Sequence, residues 1–266
     1  MTSFLDTDGM PRAVVIISSS RSGSNLLVKY LRQVHGAASF GEIFREDYPT
    51  IDAWTQLTKR LDLPTDAARL HGERLIDFWE LILSQVLTRK RWASAKIFYY
   101  HRRGDPIWQR FAADDHRIIH LWRDSTFDQF VSRLQAIASG QWRSGAASGE
   151  GHTGEDGGKA GAAIDAAKVH FDADEYLEFR ATRRRDIEAT REVYGRSDRC
   201  VELEYTQLTD HEHMASILDS LFGQRIELEE RLQRQMPLPK IEYLANPEAA
   251  APFEHDSIRG TFATAR

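Results

Sequence analysis

A strand that breaks into a small polar loop and then a helix is the feature of this sequence that most constrains its fold. The stretch VVIISSSRSGSNLLVKYL, residues 14–31, runs from β-branched residues into serines around Arg21 and resumes with apolar residues. Short β-branched runs are typical of strands buried on both faces, and apolar residues at three- and four-residue spacing indicate a helix. The stretch therefore predicts a strand, a tight loop and a helix.

Further strand signals recur along the chain, with helical segments between them. Short apolar runs lie at residues 95–100, 117–122 and 200–205, and residues 75–87 have helical periodicity. Strands that alternate with helices favour a mainly parallel sheet covered on both faces.

Length and composition argue for one domain over residues 1–266. With 41% hydrophobic residues, the chain is long enough for one sizeable core. Residues 139–161 hold 8 of the 17 glycines and almost no large apolar side chain. Such a segment cannot bury enough surface to offset its ordering entropy, so we expect a flexible loop at about 139–165.

Charge and cysteine content narrow the class further. The formal net charge of −5 provides no overall basic field, so nucleic acid is not an expected partner. The single cysteine, Cys200, cannot form an internal disulfide, and no secretory signal or membrane-spanning run is visible. We therefore expect a cytoplasmic protein without a transmembrane segment.

The loop after the first strand has the composition of an anion-binding site. Backbone N–H groups at the start of a helix point at one spot, and the helix dipole attracts negative charge there. Ser22 and Ser24 add hydroxyl donors, and Arg21 adds a positive charge. A serine-rich helix cap that binds no ligand is the alternative that stays open.

A P-loop kinase that uses ATP is a second alternative. A Walker A loop has a lysine directly after its second glycine, whereas here Ser24 and Asn25 follow Gly23 and the next lysine is Lys29. An enzyme that uses ATP or GTP is therefore disfavoured.

A second candidate anion-binding site, formed by two residues, lies in residues 118–136. Arg123 follows a predicted buried strand, and Ser132 lies nine residues later on a predicted helix. Ligands of open α/β sheets bind at the carboxyl ends of the strands. The loop around Arg21 and this second site therefore suggest a ligand with two separated anionic groups. Alternatively, Arg123 pairs with Asp124 or Asp128.

The motifs SSSRSGSNLL and RDSTFDQFVS together resemble the sulfotransferases that use 3′-phosphoadenosine-5′-phosphosulfate. The resemblance is to the bacterial branch with trehalose 2-sulfotransferase and the nodulation-type and lipopolysaccharide-type enzymes. It implies a P-loop-NTPase-like α/β fold, a parallel sheet flanked by helices on both faces. Weaker matches, in the expected order, are FGEIF (40–44), AKIFYYH (95–101), GQW (140–142), ELEYTQL (202–208) and RQMPLPKIEYLANP (234–247).

The resemblance also implies which residues bind this donor. The residues that would grip the 5′-phosphosulfate are Arg21, Ser22, Gly23, Ser24 and Asn25. Those that would bind the 3′-phosphate are Arg123 and Ser132. Arg234 and Lys240 lie in a segment similar to the family's C-terminal cofactor loop, although the arginine-lysine-glycine run of eukaryotic members is missing.

Sulfuryl transfer to a hydroxyl needs charge stabilisation on the leaving phosphate and a general base. Arg21 suits the first role. Glu42, between apolar residues in FGEIF, is our leading candidate for the base, with Glu46 and His101 as alternatives. A solvated loop carboxylate and a packing histidine are the competing interpretations. The family works without a catalytic metal, and we expect none here.

The expected reaction yields 3′,5′-adenosine bisphosphate and a sulfated acceptor. The acceptor is expected to be a small molecule or glycolipid with a hydroxyl group, in the class of carbohydrates and glycolipids. Relatives of the trehalose type imply a homodimer. A non-catalytic nucleotide-binding module stays open, because sequence alone does not separate it from an enzyme with an unknown acceptor.

Overall fold

The structure, a computed structural model, describes residues 12–45, 70–113, 115–140, 168–228 and 239–259. Within them, one five-stranded sheet has the order β2-β3-β1-β4-β5, and every neighbouring pair is parallel. The strands are β1 (Ala13–Ser18), β2 (Ala37–Ser39), β3 (Trp92–Phe98), β4 (His116–Trp122) and β5 (Cys200–Glu204).

Helices connect and follow the strands. They are α1 (Ser24–Gln33), α2 (Glu73–Val86), α3 (Ile107–Phe111), α4 (Thr126–Ser139), α5 (Ala173–Tyr194), α6 (His211–Phe222) and α7 (Pro247–Ala250). Short 3₁₀ helices lie at Tyr205–Thr209, Lys240–Tyr243 and Ala251–Phe253. Across the described ranges, no helix combines the length and apolar character needed to cross a membrane.

The chain divides into two compact units. The sheet unit comprises Met1–Trp122 and Ile187–Leu232, and the second unit comprises Arg123–Asp186 and Gln233–Arg266. The single-domain organisation predicted from composition stays a prediction. The glycine-rich loop predicted at about 139–165 lies almost entirely outside the described residues.

Helices cover both faces of the sheet in the sheet unit. On one face, Val14 and Ile16 of β1 join a buried cluster with Leu27 of α1 and Leu218 of α6. On the other face, Trp79 of α2 lies against β4, whose side chains alternate between the two faces. The predicted α/β class, a parallel sheet flanked by helices on both faces, is confirmed.

The second unit is built around an aromatic core on α4. Phe127 and Phe130 pack with Phe171 and Tyr176, and Leu244 belongs to the same buried cluster. The start of α4 is tied to the end of the chain, because Asp124 accepts hydrogen bonds from the Ser257 hydroxyl at 2.8 Å and the Arg259 backbone N–H at 2.9 Å.

A buried polar network anchors β4 to α2 and α3 in the sheet unit. Arg110 donates to both carboxylate oxygens of Asp115, at 2.6 and 2.8 Å, and to Glu80 at 2.8 Å. Trp79 Nε1 donates to His116 Nε2 at 2.9 Å, so Nδ1 of the neutral ring faces Asp115 at 2.7 Å. Burial raises the pKa of Asp115, but bonds from Arg110 and His116 outweigh it and hold that pKa well below its usual range.

We expect Asp115→Asn to destabilise the protein by about 3 kcal/mol, because it leaves the buried Arg110 guanidinium without its main counter-charge. Since the folded-state pKa of Asp115 is lowered, its stabilising effect is present above the unfolded-state pKa and is lost as pH falls. Urea unfolding at neutral and acidic pH measures both effects. Asp198→Asn is the matched control, because that side chain is 95% exposed; equal effects of the two variants would contradict the prediction.

Candidate active site

The loop between β1 and α1 has a strained backbone. Arg21 has a φ of 61° and Gly23 a φ of 89°, both in the left-handed region. Glycine adopts this region freely, whereas an arginine there is held by its surroundings at an energetic cost. Strained non-glycine residues cluster at functional sites, so the conformation of Arg21 marks this loop as a candidate site.

Gly23 is the N-cap residue of α1 and has no side chain to offer the first turn. Its carbonyl accepts from the N–H groups of Leu26 and Leu27 at 2.8 and 3.1 Å. A Cβ atom at Gly23 would lie 2.6 Å from the ring of Tyr205 and 2.8 Å from Leu208. Only glycine therefore fits both this backbone conformation and this space.

The other predicted loop residues have defined partners. The Ser22 hydroxyl is buried and donates to the Ser19 carbonyl at 2.7 Å, which closes the loop on itself. Ser24 and Asn25 form the first turn of α1, and their side chains face Lys96 of β3. The loop hydroxyls thus shape the site as well as lining it.

Lys96 connects the loop to the candidate base. Its side chain is 2% exposed, and its ammonium donates to Glu42 Oε1 at 2.8 Å, Asn25 Oδ1 at 2.7 Å and Ser24 Oγ at 3.3 Å. A buried ammonium needs such oxygen partners because losing water is costly for an ion. The three bonds bring Glu42 and the first turn of α1 to one point.

Glu42 lies in an ion pair rather than isolated among apolar side chains. Its side chain is 16% exposed, and its second oxygen, Oε2, is 3.6 Å from Arg45 Nη1. The neighbouring Phe44 is fully buried against Trp79 and Phe111. Glu46, the alternative base, lies outside the described residues.

His101 occupies the turn that follows β3. It is buried, its Nδ1 accepts from the Phe98 N–H at 3.3 Å, and its ring packs against Phe98 and Tyr100. These contacts give the histidine a structural role in the turn. In the part of the chain that the structure describes, no three His, Cys, Asp or Glu side chains group as they would around a metal ion.

The second predicted anion pair lies in the second unit. Arg123 is buried and donates from Nη2 to Asp128 at 2.8 Å, so of the two acidic partners considered for it, the structure pairs it with Asp128. Ser132 is buried one helical turn beyond Asp128 on α4. Lys240 begins a 3₁₀ helix and lies over the Tyr243 ring, whereas Arg234 lies outside the described residues.

A hydrogen-bonded chain across β3, β4 and β5 was not predicted from sequence. Arg191 donates twice to Glu202, at 2.7 and 2.8 Å, and Glu202 faces Nδ1 of His120 at 3.4 Å. Burial lowers the pKa of His120, which favours the neutral ring. Because Nδ1 faces the Glu202 carboxylate, the proton is assigned to Nδ1 and Nε2 accepts from the Tyr99 hydroxyl at 2.8 Å. Burial raises the pKa of Glu202, but His120 and Arg191 outweigh it and lower the value to about 2.

A strained loop at a helix start, next to a buried lysine–carboxylate pair, is suited to group transfer from an anionic donor. The family model described as Stf0 sulphotransferase matches residues 13–167, which is more than half of the chain. The chain belongs to this family and is a sulfotransferase. A comparison with curated protein sequences found no match.

Solved structures similar to this chain are sulfotransferases of low sequence identity. The sulfotransferase domain from the curacin biosynthetic pathway has a TM-score of 0.49 and 13% identity, over 94% of this chain and 88% of that one. The sulfotransferase domain from the Synechococcus PCC 7002 olefin synthase has a TM-score of 0.45 and 15% sequence identity, over 94% of this chain and 85% of that one. The sulfotransferase from Alicyclobacillus acidocaldarius has a TM-score of 0.45 and 13% sequence identity, over 91% of each chain.

We expect Gly23→Ala to destabilise the protein by more than the roughly 1–2 kcal/mol that a left-handed alanine costs, because the new methyl group also meets Tyr205 and Leu208. Gly223→Ala is the matched control, with a φ of 59° and open space around the added Cβ. Urea unfolding compares the two. An equal loss in both variants would show that the close packing at Gly23 has no effect.

Proposed function

We propose that this sulfotransferase moves a sulfuryl group from 3′-phosphoadenosine-5′-phosphosulfate to a hydroxyl group of a carbohydrate or glycolipid. Family membership supports the reaction class, and the donor is the one that the family implies. The observation that carries the proposal is the triple contact of Lys96. It places a carboxylate suited to act as a base at the first turn of α1, directly after the loop suited to bind an anion.

The phosphosulfate end of the donor is assigned to the β1–α1 loop. Gly23 leaves the start of α1 without a capping side chain, so backbone N–H groups there are suited to bind anionic oxygens. Arg21 adds a charge next to this point. The residues of the loop therefore fit the sulfuryl and 5′-phosphate groups, and Arg21 would stabilise charge that develops on the leaving phosphate.

The 3′-phosphate is assigned to Arg123 and Ser132, by the same resemblance to the family. The Arg123 guanidinium donates from Nη2 to Asp128, and the planar fork of a guanidinium is suited to bind a phosphate. Ser132 supplies a hydroxyl on α4. Lys240 and Arg234 are proposed as further contacts of the donor, by resemblance to the C-terminal segment of the family.

The donor supplies the sulfuryl group and leaves as 3′,5′-adenosine bisphosphate. The acceptor oxygen forms a bond to sulfur while the bond from sulfur to the 5′-phosphate oxygen breaks, and that oxygen keeps the electron pair. Glu42 takes the acceptor proton. Since Oε1 is bonded to Lys96 and the contact of Oε2 with Arg45 is long at 3.6 Å, Oε2 is the oxygen assigned to the proton.

Lys96 holds the base in place during this step. It fixes the Glu42 carboxylate against Asn25 and Ser24, so the base and the donor loop keep one relative geometry. Glu46 and His101 remain alternative bases. The cytoplasmic location and the homodimer implied by the resemblance also remain predictions.

We expect the protein to bind 3′,5′-adenosine bisphosphate in preference to ATP with magnesium. Arg21→Ala and Arg123→Ala should each weaken this binding about 10- to 100-fold, because each removes a charge-assisted contact to a phosphate. Isothermal titration calorimetry measures the affinities, with exposed Arg32→Ala as the control. A preference for magnesium ATP would favour a kinase instead.

We expect Glu42→Gln to lower kcat by about 100- to 10,000-fold, because the amide keeps the shape of the side chain but does not take up the proton. Bisphosphate affinity should change less than about twofold, since Glu42 is not assigned to the donor. Release of bisphosphate in a screen of sugar and glycolipid alcohols measures turnover. Unchanged kcat would move the role of base to Glu46 or His101, and binding without turnover in the wild type would indicate a non-catalytic module.

A further inference from the structure

The segment that carries the candidate base is held at both ends by β3 and the turn that follows it. This segment, residues 40–45, is called the Glu42 segment below. At its start, the Phe40 N–H donates to the Ser94 carbonyl at 2.9 Å, and the Lys96 N–H donates to the Gly41 carbonyl at 2.7 Å. These two bonds continue the pairing of β2 with β3. They fix the chain directly before Glu42.

The end of the Glu42 segment is bound by the side chain of Arg102. Its Nε donates to the Phe44 carbonyl at 3.0 Å, and its Nη2 is 3.4 Å from the Arg45 carbonyl. A third nitrogen, Nη1, lies 3.1 Å from Nδ1 of His71. The planar guanidinium thus contacts two consecutive carbonyls, two and three residues after the candidate base.

The backbone of Arg102 is unusual for an arginine. Its φ is 53°, in the left-handed region where glycine is favoured, and the residue is 2% exposed. Burying a guanidinium is costly unless its N–H groups find acceptors, and here the acceptors are the carbonyls of the Glu42 segment. Neither the left-handed backbone nor the burial favours an arginine at position 102. What favours an arginine here is the set of contacts that its side chain makes with the Glu42 segment.

The turn that carries Arg102 is itself rigid. The Arg102 carbonyl accepts from the Asp105 N–H at 2.9 Å and from Trp108 Nε1 at 3.0 Å. Asp105 in turn accepts from the Gly72 N–H at 2.8 Å, at the start of α2. The guanidinium is therefore presented from a fixed backbone.

We propose that Arg102 is a positioning residue, which fixes the Glu42 segment and thereby places the Glu42 carboxylate against Lys96 and the first turn of α1. Lys96 holds the carboxylate, and Arg102 holds the backbone that bears it. The link to catalysis rests on the proposed function, because Glu42 acts on the acceptor only in that reaction. A displacement of about 1 Å in a catalytic group is enough to cost roughly 100-fold in rate.

Arg102→Gly is the informative variant, because glycine adopts a φ of 53° without strain and the turn therefore keeps its backbone conformation. The variant removes the whole side chain, including the guanidinium, and leaves the backbone conformation accessible. Hydrogen–deuterium exchange measures the expected loosening: backbone amides of the Glu42 segment should exchange about 10-fold faster, and those of the β1–α1 loop should change less than about twofold. Arg103→Gly, at the exposed neighbouring position, is the control and should leave the Glu42 segment unchanged.

Turnover tests the link to catalysis with the acceptor found in the alcohol screen. We expect Arg102→Gly to lower kcat by about 10- to 100-fold with bisphosphate affinity unchanged, and ethylguanidine to restore part of kcat by refilling the same space. Arg102→Lys should not replace the arginine, because an ammonium lacks the planar fork that meets both carbonyls.

The two arms separate the outcomes. Unchanged exchange in the Glu42 segment would overturn the positioning role, whatever the reaction is. Faster exchange with unaltered kcat would overturn the link to catalysis. A wild-type protein without turnover would count against the proposed function alone, because the exchange arm needs neither donor nor acceptor.

Discussion

The burial of one ammonium group determines how the candidate site is arranged. Lys96 lies in the middle of β3 with its side chain 2% exposed, next to the central strand of the sheet. A buried ammonium is stable only if oxygen atoms replace its water, and Glu42, Asn25 and Ser24 provide them. The lysine therefore requires the segment after β2 and the start of α1 to meet at one point. The catalytic geometry proposed above follows from this electrostatic requirement.

The fold could be predicted largely because its strands carry strong local signals. The apolar runs predicted at residues 117–122 and 200–205 lie within two residues of the limits of β4 and β5. The strand β2 was missed, since Ala37–Ser39 is three residues long and has no pattern that distinguishes it from a loop. The predicted helix over residues 75–87 corresponds to α2, which begins two residues earlier at Glu73.

The site was less predictable, because its main contacts join residues far apart in sequence. The spacing of the loop residues was enough to indicate an anion site. The structure adds that Arg21 has a left-handed backbone, which could not be predicted because the presence of an arginine in a sequence does not indicate this conformation. Nothing in the sequence indicated that Lys96 is buried, or that Glu42 and Asn25 lie beside it. Arg102 meets Phe44 across 58 residues, and no local pattern indicates such a pair. Local periodicity predicts elements, whereas partners for buried charges depend on tertiary packing.

The two buried histidines of β4 belong to different hydrogen-bond networks. One network stabilises the sheet, and the other lies near the candidate site. His116, at the amino end of the strand, accepts from Trp79 and faces Asp115, and the bonds around it tie the strand to α2 and α3. His120, four residues on, accepts from Tyr99, which follows β3, and faces Glu202 of β5. Because Tyr99 also donates its backbone N–H to the Ser18 carbonyl at 2.9 Å, this second network reaches the last residue of β1, just before the β1–α1 loop. Ligands of parallel sheets bind at the carboxyl ends of strands, so the contacts of His120 fix the backbone next to the proposed donor site.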